Sequence, residues 1–469
     1  MSTRNEKRAA KLVVGLGLSG LAAAAFLCRR GEPPAVSERR PAAEISELLG
    51  KLEELGVTEV ETGGHRPEFF CGRRQIVASP GVPSELPALV AARAAGAEII
   101  GEIELAARAI DVPLIAVTGT NGKTTTVNLL DEVFKAAGKK VFAGGNLGRP
   151  ALEMTEDDYE LGVWELSSFQ LETVASGFRS KVAVILNLSP DHQDRYVDTE
   201  AYLAAKARIS MNQTKDDYLL LNLDDPHLAA YGRALAARRA AGVSLPRLLW
   251  FSCRREVETG VSWQDDEIVM CLPQAGGGRR IERLSAPTLR LPGEHNRSNF
   301  LAALLASHLV GLENEVIIAA AASFEGLAHR LEFVGEVDGV SWYNDSKATN
   351  LDAVIKAVES FTAPLVLLLG GRDKGADFST LISTLRSRVR LLLPFGEAGD
   401  KIVRELAELK PEVPACELAA AVARARREAE SGEVVLLSPG CASFDEFADY
   451  RARGDMFRHL VASFREERE

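Results

Sequence analysis

Long hydrophobic runs are missing from this chain of 469 residues: no apolar stretch reaches the ~18 residues that a membrane span needs. Cysteine is scarce, and the six, at positions 28, 71, 253, 271, 416 and 441, form no CxxC pair, which argues against a disulfide framework or a zinc knuckle. There is no block of lysine or arginine, and with a net charge of −11 neither nucleic acid nor an anionic membrane is an expected partner. Low-complexity tracts and solenoid-length repeats are absent too. Met1 to Lys11 is polar and basic, and the apolar segment after it is broken by glycines and lacks a small-residue cleavage pattern, so a cytoplasmic protein is expected. What is present is globular: 46% hydrophobic and 26% charged side chains, in a length that suits about three domains.

Three α/β patterns follow one another. In the first, Leu12 to Val14 enters the turn GLGLSG and an Ala/Leu-rich helix that ends near Gly31; Ala35 to Ser37, Gln75 to Ser79 and Glu98 to Ile100 read as further strands. The pattern restarts near Asp111 with LIAVTG, the loop TNGKTT and a helix from about Thr124 to Ala137. Strands follow at Val141 to Phe142, Leu161 to Glu165 and Lys181 to Leu188, the last a continuous apolar run expected of a strand buried on both faces. After a helix around Glu315 to Phe324, the third pattern has strands at Val340 to Tyr343, Leu365 to Leu369, Arg390 to Leu393 and Val434 to Leu437. Tyr231 to Ala286 is arginine-rich and reads as irregular. Boundaries near 110 and 328 give domains 1–110, 111–328 and 329–469. The expected fold is a Rossmann-like N-terminal domain, a central P-loop ATPase-type parallel sheet and a Rossmann-like C-terminal domain.

Gly15, Gly17 and Gly20 satisfy G-x-G-x-x-G after a strand, and Glu38 lies about 20 residues on. Such glycines let a backbone approach a pyrophosphate at a positive helix end. A dinucleotide, another diphosphate ligand such as a UDP-sugar, and simple tight strand-to-helix packing all satisfy this pattern. The second glycine loop is more specific. Thr118-Gly119-Thr120-Asn121-Gly122-Lys123-Thr124-Thr125 joins an apolar strand to a helix, with Val117 where the strict P-loop spacing has glycine. Successive backbone amides there form an anion nest, Lys123 reaches the β/γ-phosphates, and the Thr124 hydroxyl suits Mg²⁺, so a nucleoside triphosphate is expected. Glu165, at the end of LGVWE, and Asp191, His192 and Asp194, after VAVILNLSP, fall at the same sheet edge and offer Mg²⁺ hard ligands.

TGTNGKTT, WELSSFQLE, NLSPDHQDR, GEHNRSN, AHRLEFV, NDSKATN and GGRDKGADF, in this order, resemble the Mur ligases from Gly15 to about Tyr450. ELSSFQLE and GGRDKGADF point within that family to the branch that adds D-glutamate. The resemblance implies an ATP-dependent ligase that joins D-glutamate to UDP-N-acetylmuramoyl-L-alanine through an acyl phosphate, acting as a monomer. It also implies that the N-terminal domain holds UDP. Another Mur-type ligase adding a different amino acid, or a folylpolyglutamate synthase-like ligase, is the alternative, although the Asp-Asn-Pro-Arg block of the diamino-acid enzyme is missing.

Carried over position by position, the resemblance implies that Lys123 neutralises the γ-phosphate within a nucleotide site of Gly119, Thr120, Asn121, Gly122, Lys123, Thr124 and Thr125. Thr124 and Glu165 would hold one Mg²⁺ and His192 a second. Lys206 matches a lysine that is carbamylated and can then bind metal, although by sequence pattern it is an ordinary exposed helix lysine. Asn299, Arg330 and Asp345 match further ATP contacts. Lys347, Thr349, Lys374, Ser443, Phe444 and Tyr450 match the D-glutamate site, and Leu18, Ser19, Ser37, Glu38, Arg39 and Gly81, with Asn146 nearer the muramoyl end, match the UDP-sugar site. The chain departs from the pattern at Ser37-Glu38, where many relatives carry V-x-D, at Tyr450 for Phe, and at Gln193.

Overall fold

The computed structural model describes residues 9–146, 148–189, 191, 195–274, 278–414 and 417–466, with side chains as far as 464. The chain divides into two compact units: Met1–Ser285 with Leu301–Ile317, and Ala286–Phe300 with Ile318–Glu469.

The first unit carries two sheets. β1 (Lys11–Val14), β2 (Ala35–Glu38), β3 (Val60–Thr62), β4 (Gln75–Ala78) and β5 (Glu98–Gly101) pair in the order β3-β2-β1-β4-β5, every neighbour parallel. The order reverses at β1, so the loop after it opens at the switch point where such sheets take ligands. Val13, Val36, Val77 and Ile100 fill one face and Leu12, Ala35 and Ile76 the other. Burial on both faces explains why these strands do not alternate polar with apolar. Gly15 has φ +85, and a Cβ on Gly20 would fall 1.9 Å from the Gly15 carbonyl oxygen, so the turn into the helix Leu18–Arg29 requires both glycines.

The second sheet comprises β6 (Leu114–Thr118), β7 (Val141–Gly145), β8 (Leu161–Glu165), β9 (Val182–Ile185), β10 (Tyr218–Asn222), β11 (Arg247–Ser252), β12 (Gly260–Gln264), β13 (Glu267–Pro273) and β14 (Arg279–Ser285), in the order β14-β13-β12-β11-β10-β9-β6-β8-β7. Neighbours from β7 to β12 are parallel, whereas β13 and β14 run antiparallel, so the expected parallel sheet is mixed. The region 231–286 is therefore not irregular: it holds the end of the helix Pro226–Ala240 and four strands. Two of these strands carry short apolar runs, Leu248 to Phe251 in β11 and Ile268 to Leu272 in β13, set among arginines that mask the pattern. The mostly exposed β14 is dressed instead by ion pairs such as Arg283 with Glu267 at 2.7 Å. The strand expected over Lys181 to Leu188 ends at Ile185, and the chain turns there to line the loop after β6.

Both sheets bury side chains in one core, which runs from Val13 and Ile100 to Leu114, Phe142 and Trp164. The helix Glu102–Ala107 stands between them, and two of its carboxylates point inward. Glu102 accepts the Leu152 amide at 2.7 Å, and burial pushes its carboxyl up to about 7 against the Leu152 and Ala151 amides. Glu104, its side chain fully buried, accepts the amides of Ala175, Gly177 and Phe178 at 2.9, 2.7 and 2.9 Å and the Arg108 guanidinium at 2.7 Å.

In the second unit, β15 (Glu332–Val337), β16 (Val340–Asn344), β17 (Leu365–Gly370), β18 (Val389–Phe395) and β19 (Val434–Gly440) pair in the order β15-β16-β19-β17-β18, all parallel except β15. Asp338 and Gly339, with φ +59 and +76, form the two-residue turn between β15 and β16, an Asp-Gly hairpin signal that marks a strand not anticipated above. Trp342 packs against Phe457 and Phe464 on one face of this sheet, while Val354, Val358 and Leu367 fill the other. No helix among the described residues is long and apolar enough to cross a membrane.

Glu104→Ala strips three buried amides of their acceptor and is expected to lower the unfolding free energy by about 3 kcal/mol. Chemical denaturation reads this as a lowered midpoint; an unmoved midpoint would show the carboxylate to be dispensable.

Candidate active site

Parallel pairing brings the carboxyl ends of β6, β8 and β9 to one edge, with Val117 opposite Glu165 and Thr118 opposite Ile185. Thr118 Oγ1 donates to the Leu166 carbonyl at 2.8 Å and ties the chain after β8 to the start of the P-loop. At Gly119, φ +153, an added Cβ would stand 3.0 Å from Leu186 Cβ and 3.3 Å from the Asn187 nitrogen. The loop is latched to the chain after β9. The Thr120 amide donates to the Asn187 carbonyl at 3.0 Å, the Asn121 amide to Asn187 Oδ1 at 2.9 Å, and Asn187 Nδ2 back to the Asn121 carbonyl at 3.0 Å. Gly122, φ +84, caps the helix Lys123–Ala136 and brings no side chain to its first-turn amides, which suits them to an anion. Thr124 and Thr125 occupy that first turn.

Two lysines converge on the loop. Lys123 Nζ donates to the carbonyls of Gly119 and Thr120, both at 2.9 Å, and Lys206 Nζ reaches the same Gly119 carbonyl at 2.9 Å. Lys206, on the helix Thr199–Ala207, is only 1% exposed, with its Nζ 4.3 Å from the centre of the Tyr202 ring. It is therefore not the exposed lysine that its sequence pattern suggests. Burial, reinforced by the Lys123 charge and opposed by Asp191, pushes its pKa well below the usual lysine range.

Glu165 is buried at the end of β8; Asn146 Nδ2 donates to its Oε1 at 3.0 Å, and the Asn146 amide to its main-chain carbonyl at 2.8 Å. Glu165 Oε2 makes no hydrogen bond among the described residues. The Thr124 hydroxyl and the Glu165 carboxylate are hard oxygen donors of the kind Mg²⁺ takes. His192 lies outside the described residues. Among those described, no three His, Cys, Asp or Glu side chains form a metal cluster.

At the edge of the first sheet, both Glu38 oxygens are occupied. Oε2 accepts the Leu16 amide at 2.6 Å, Oε1 accepts the Arg40 amide at 2.9 Å and Nε at 3.1 Å, and Arg40 Nη2 donates to the Leu16 carbonyl at 2.9 Å. Burial works to raise this carboxyl, but the Arg40 and Leu16 hydrogen bonds outweigh it and hold it down at about 2. Glu38 thus braces the glycine loop. Ser37 is fully buried beside it, Leu18 is 73% exposed at the mouth of the loop, Ser19 is half-buried, and Arg39 and Gly81 are exposed.

The second unit gathers most of the remaining candidates around one buried cation. Arg453 is fully buried; its Nη2 donates to the Ser346 and Cys441 carbonyls at 2.8 and 3.1 Å and its Nη1 to Ala442 at 3.1 Å. These bonds fix the NDSKATN segment against the segment that carries Ser443, which is buried, and Phe444, which is exposed. Asp345 accepts from Ser438 Oγ at 2.9 Å and the Leu331 amide at 3.2 Å, and burial pushes it up to about 7. Lys347 Nζ lies 4.1 Å from the centre of the Tyr450 ring. Arg330 sits between His329 and Leu331, both at positive φ (+67 and +44). Thr349 is half-buried, and Lys374 is exposed on a loop that Arg372 pairs with Ala442. Asn299 is buried on the helix Glu294–Leu309, its Nδ2 3.4 Å from Asn296 Oδ1.

Models of the Mur ligase MurD-like N-terminal domain, the Mur ligase middle domain and the Mur ligase glutamate ligase domain match residues 9–101, 117–307 and 329–441. A UDP-N-acetylmuramoylalanine--D-glutamate ligase of Acidobacterium capsulatum is 44% identical over 456 residues, covering 97% of this chain and 96% of its own. The chain belongs to the Mur ligase family. A relative of the same name from Syntrophus aciditrophicus is 42% identical over 455 residues, 97% of each chain. The fold is shared with the pseudomurein peptide ligase type C of Methanothermus fervidus, with a TM-score of 0.58 at 16% identity over 97% of this chain and 99% of that one. It is also that of the UDP-N-acetylmuramate-alanine ligase MurC of Thermotoga maritima, with a TM-score of 0.55 at 19% identity over the same shares.

Three side chains of this Mur ligase were not singled out by sequence: Asn187, Asn296 and Arg453. Asn187 stands two residues after a strand that ends at the P-loop edge, and Asn296 stands three residues before Asn299 on one helix face; either spacing is a usable signal. Arg453 has none, since only the folded chain shows its burial. Asn187→Ala removes two hydrogen bonds that shape the loop and is expected to weaken ATP binding by roughly tenfold with the fold intact. Nucleotide titration measures this, and an unchanged affinity would make the latch irrelevant.

Proposed function

We propose that this Mur ligase joins D-glutamate to UDP-N-acetylmuramoyl-L-alanine at the expense of ATP, yielding ADP and phosphate. The observation that carries the reading is the 44% identity, over nearly the whole of both chains, to a ligase of that name. The physical problem is to bring a carboxylate onto a polyanion, and the groups around the P-loop suit it.

The first-turn amides of the helix Lys123–Ala136 receive the phosphates, and Lys123 exchanges its carbonyl partners for the γ-phosphate. The terminal carboxylate of the sugar peptide attacks the γ-phosphorus, forms an acyl phosphate and expels ADP. The amine of D-glutamate then attacks the acyl carbonyl, passes through a tetrahedral intermediate, loses a proton and displaces phosphate. Mg²⁺, held by Thr124 and Glu165 with a second ion at His192, would offset the phosphate charge. Burial favours the neutral amine of Lys206, the form that adds carbon dioxide, and the resulting carbamate is an anion suited to a metal. Asn299, Arg330 and Asp345 are assigned to ATP. Lys347 and Lys374 supply charge to the two carboxylates of D-glutamate, with Thr349, Ser443, Phe444 and Tyr450 around them.

Leu18, Ser19, Ser37, Glu38, Arg39 and Gly81 are assigned to UDP, and Asn146 to the muramoyl end. In this reading 1–110 binds the nucleotide sugar, 111–328 binds ATP and 329–469 binds the amino acid, in a cytoplasmic monomer.

Phosphate release from ATP is expected to require both UDP-N-acetylmuramoyl-L-alanine and D-glutamate, in a panel with L-glutamate, L-alanine, L-lysine and diaminopimelate. Release with another amino acid would move the protein within the family; no release with any would remove the ligase reading. Lys206→Ala is expected to lose at least about tenfold in activity, part of which returns with formate or acetate in the buffer. Absence of any rescue would leave the carbamate without support.

A further inference from the structure

A serine, a glutamate and a histidine meet beside the glycine loop of the first sheet, and no assignment above uses the histidine. Ser37 is the penultimate residue of β2, Glu61 lies in β3, and His65 follows the Gly63-Gly64 turn. Ser37 Oγ stands 2.9 Å from Glu61 Oε2 and 2.8 Å from His65 Nδ1. Glu61 is 5% exposed and takes hydrogen bonds from Arg66, through Nε at 2.5 Å and the amide at 3.3 Å, which mark it as a carboxylate.

An ionised carboxylate only accepts, so the single proton of Ser37 is directed to Glu61. The Gly64 carbonyl, at 3.5 Å, is too distant to compete. Ser37 therefore offers the imidazole only lone pairs. Nδ1 must carry the ring proton, and Nε2 is left with a lone pair. Nε2 makes no hydrogen bond among the described residues, and the ring is held edge-on to Phe70 at 6.2 Å. Burial favours the neutral ring, reinforced by Arg39 and opposed by the charges of Glu38 and Glu61.

This acceptor belongs to the ligand edge. The Gly15 amide donates to the Ser37 carbonyl at 2.8 Å, the Gly64 amide to the Glu38 carbonyl at 3.4 Å, and the Leu16 amide to the Glu38 carboxylate at 2.6 Å. The glycine loop, the end of β2 and the His65 turn are therefore hydrogen-bonded into one unit.

We propose that His65 reads the base of the nucleotide sugar: Nε2 accepts the N3–H of a uracil ring and so selects uridine over cytidine nucleotides. Uracil presents a donor at N3, whereas cytosine presents an acceptor there, so that two lone pairs would face each other. Ser37 and Glu61 are positioning residues that set the tautomer. This inference rests on the reading of the first sheet as the holder of the UDP-sugar.

Calorimetric titration of the full-length protein with UDP and with CDP at about pH 8, where the imidazole is neutral, tests it. The wild type is expected to prefer UDP by roughly tenfold or more. His65→Ala should lose that preference by weakening UDP while leaving CDP unchanged. His65→Gln, whose carboxamide oxygen can accept in place of Nε2, should keep part of it. Acidification far enough to protonate the imidazole puts a proton on Nε2 and should erode the preference of the wild type, with no such pH dependence in His65→Ala. A UDP preference unchanged in both variants, or unchanged by acidification, would overturn the role of His65 while leaving the nucleotide-sugar site in place. A wild type that binds neither nucleotide would instead overturn the site and this inference together.

Discussion

One carbonyl oxygen, that of Gly119, holds two lysine side chains together. Lys123 and Lys206 both donate to it at 2.9 Å, one from the first turn of the P-loop helix and the other from a helix that begins 76 residues later in the chain, at Thr199. A second positive charge this close to Lys123 is disfavoured, and together with burial this drives Lys206 toward its neutral amine. The arrangement is an electrostatic demand for anions. Polyphosphate answers it from the loop side, and a carbamate on Lys206 would answer it from within. The surrounding strands serve this constraint: β6 delivers the loop, β9 ends early so that Asn187 can latch it, and β8 places Glu165 alongside.

The first sheet handles its loop by different means. Gly15 and Gly20 are needed for the turn itself, because a Cβ on Gly20 would collide with the Gly15 carbonyl. The acid that a dinucleotide fingerprint would send to a ribose is instead locked against the Leu16 amide and Arg40. A glycine motif therefore reports a backbone geometry, and the ligand is decided by the side chains that surround it. Here those are Ser37, Glu61 and His65, drawn from two strands and a turn.

Much of this was legible in the sequence wherever a contiguous segment carries the chemistry. TGTNGKTT, the strand ending in Glu165 and the alternation of strands with helices all reduce to local pattern, and each is found where that pattern places it. The illegible parts depend on partners far away in the chain. Lys206 reads as an exposed helix lysine, and only its packing against Tyr202 and Gly119 buries it. Arg453 acquires its role from carbonyls near 346 and 441. In the hairpin of β13 and β14 the apolar run Ile268 to Leu272 faces a partner strand of charged residues, so half of the hairpin carries no apolar signal. Asp338-Gly339 shows the converse, a turn signal strong enough to have revealed β15.

Glu104 touches none of the residues assigned to substrates, yet it bolts the helix after β5 to the loop that precedes β9, and the two sheets of the first unit share a single core. The edge that would hold uridine and the edge that would activate a carboxylate are thus two jaws of one caliper, set at folding. A sugar nucleotide that is too short or too long would span the wrong interval however well each end fits, so length itself becomes a selected property of the substrate.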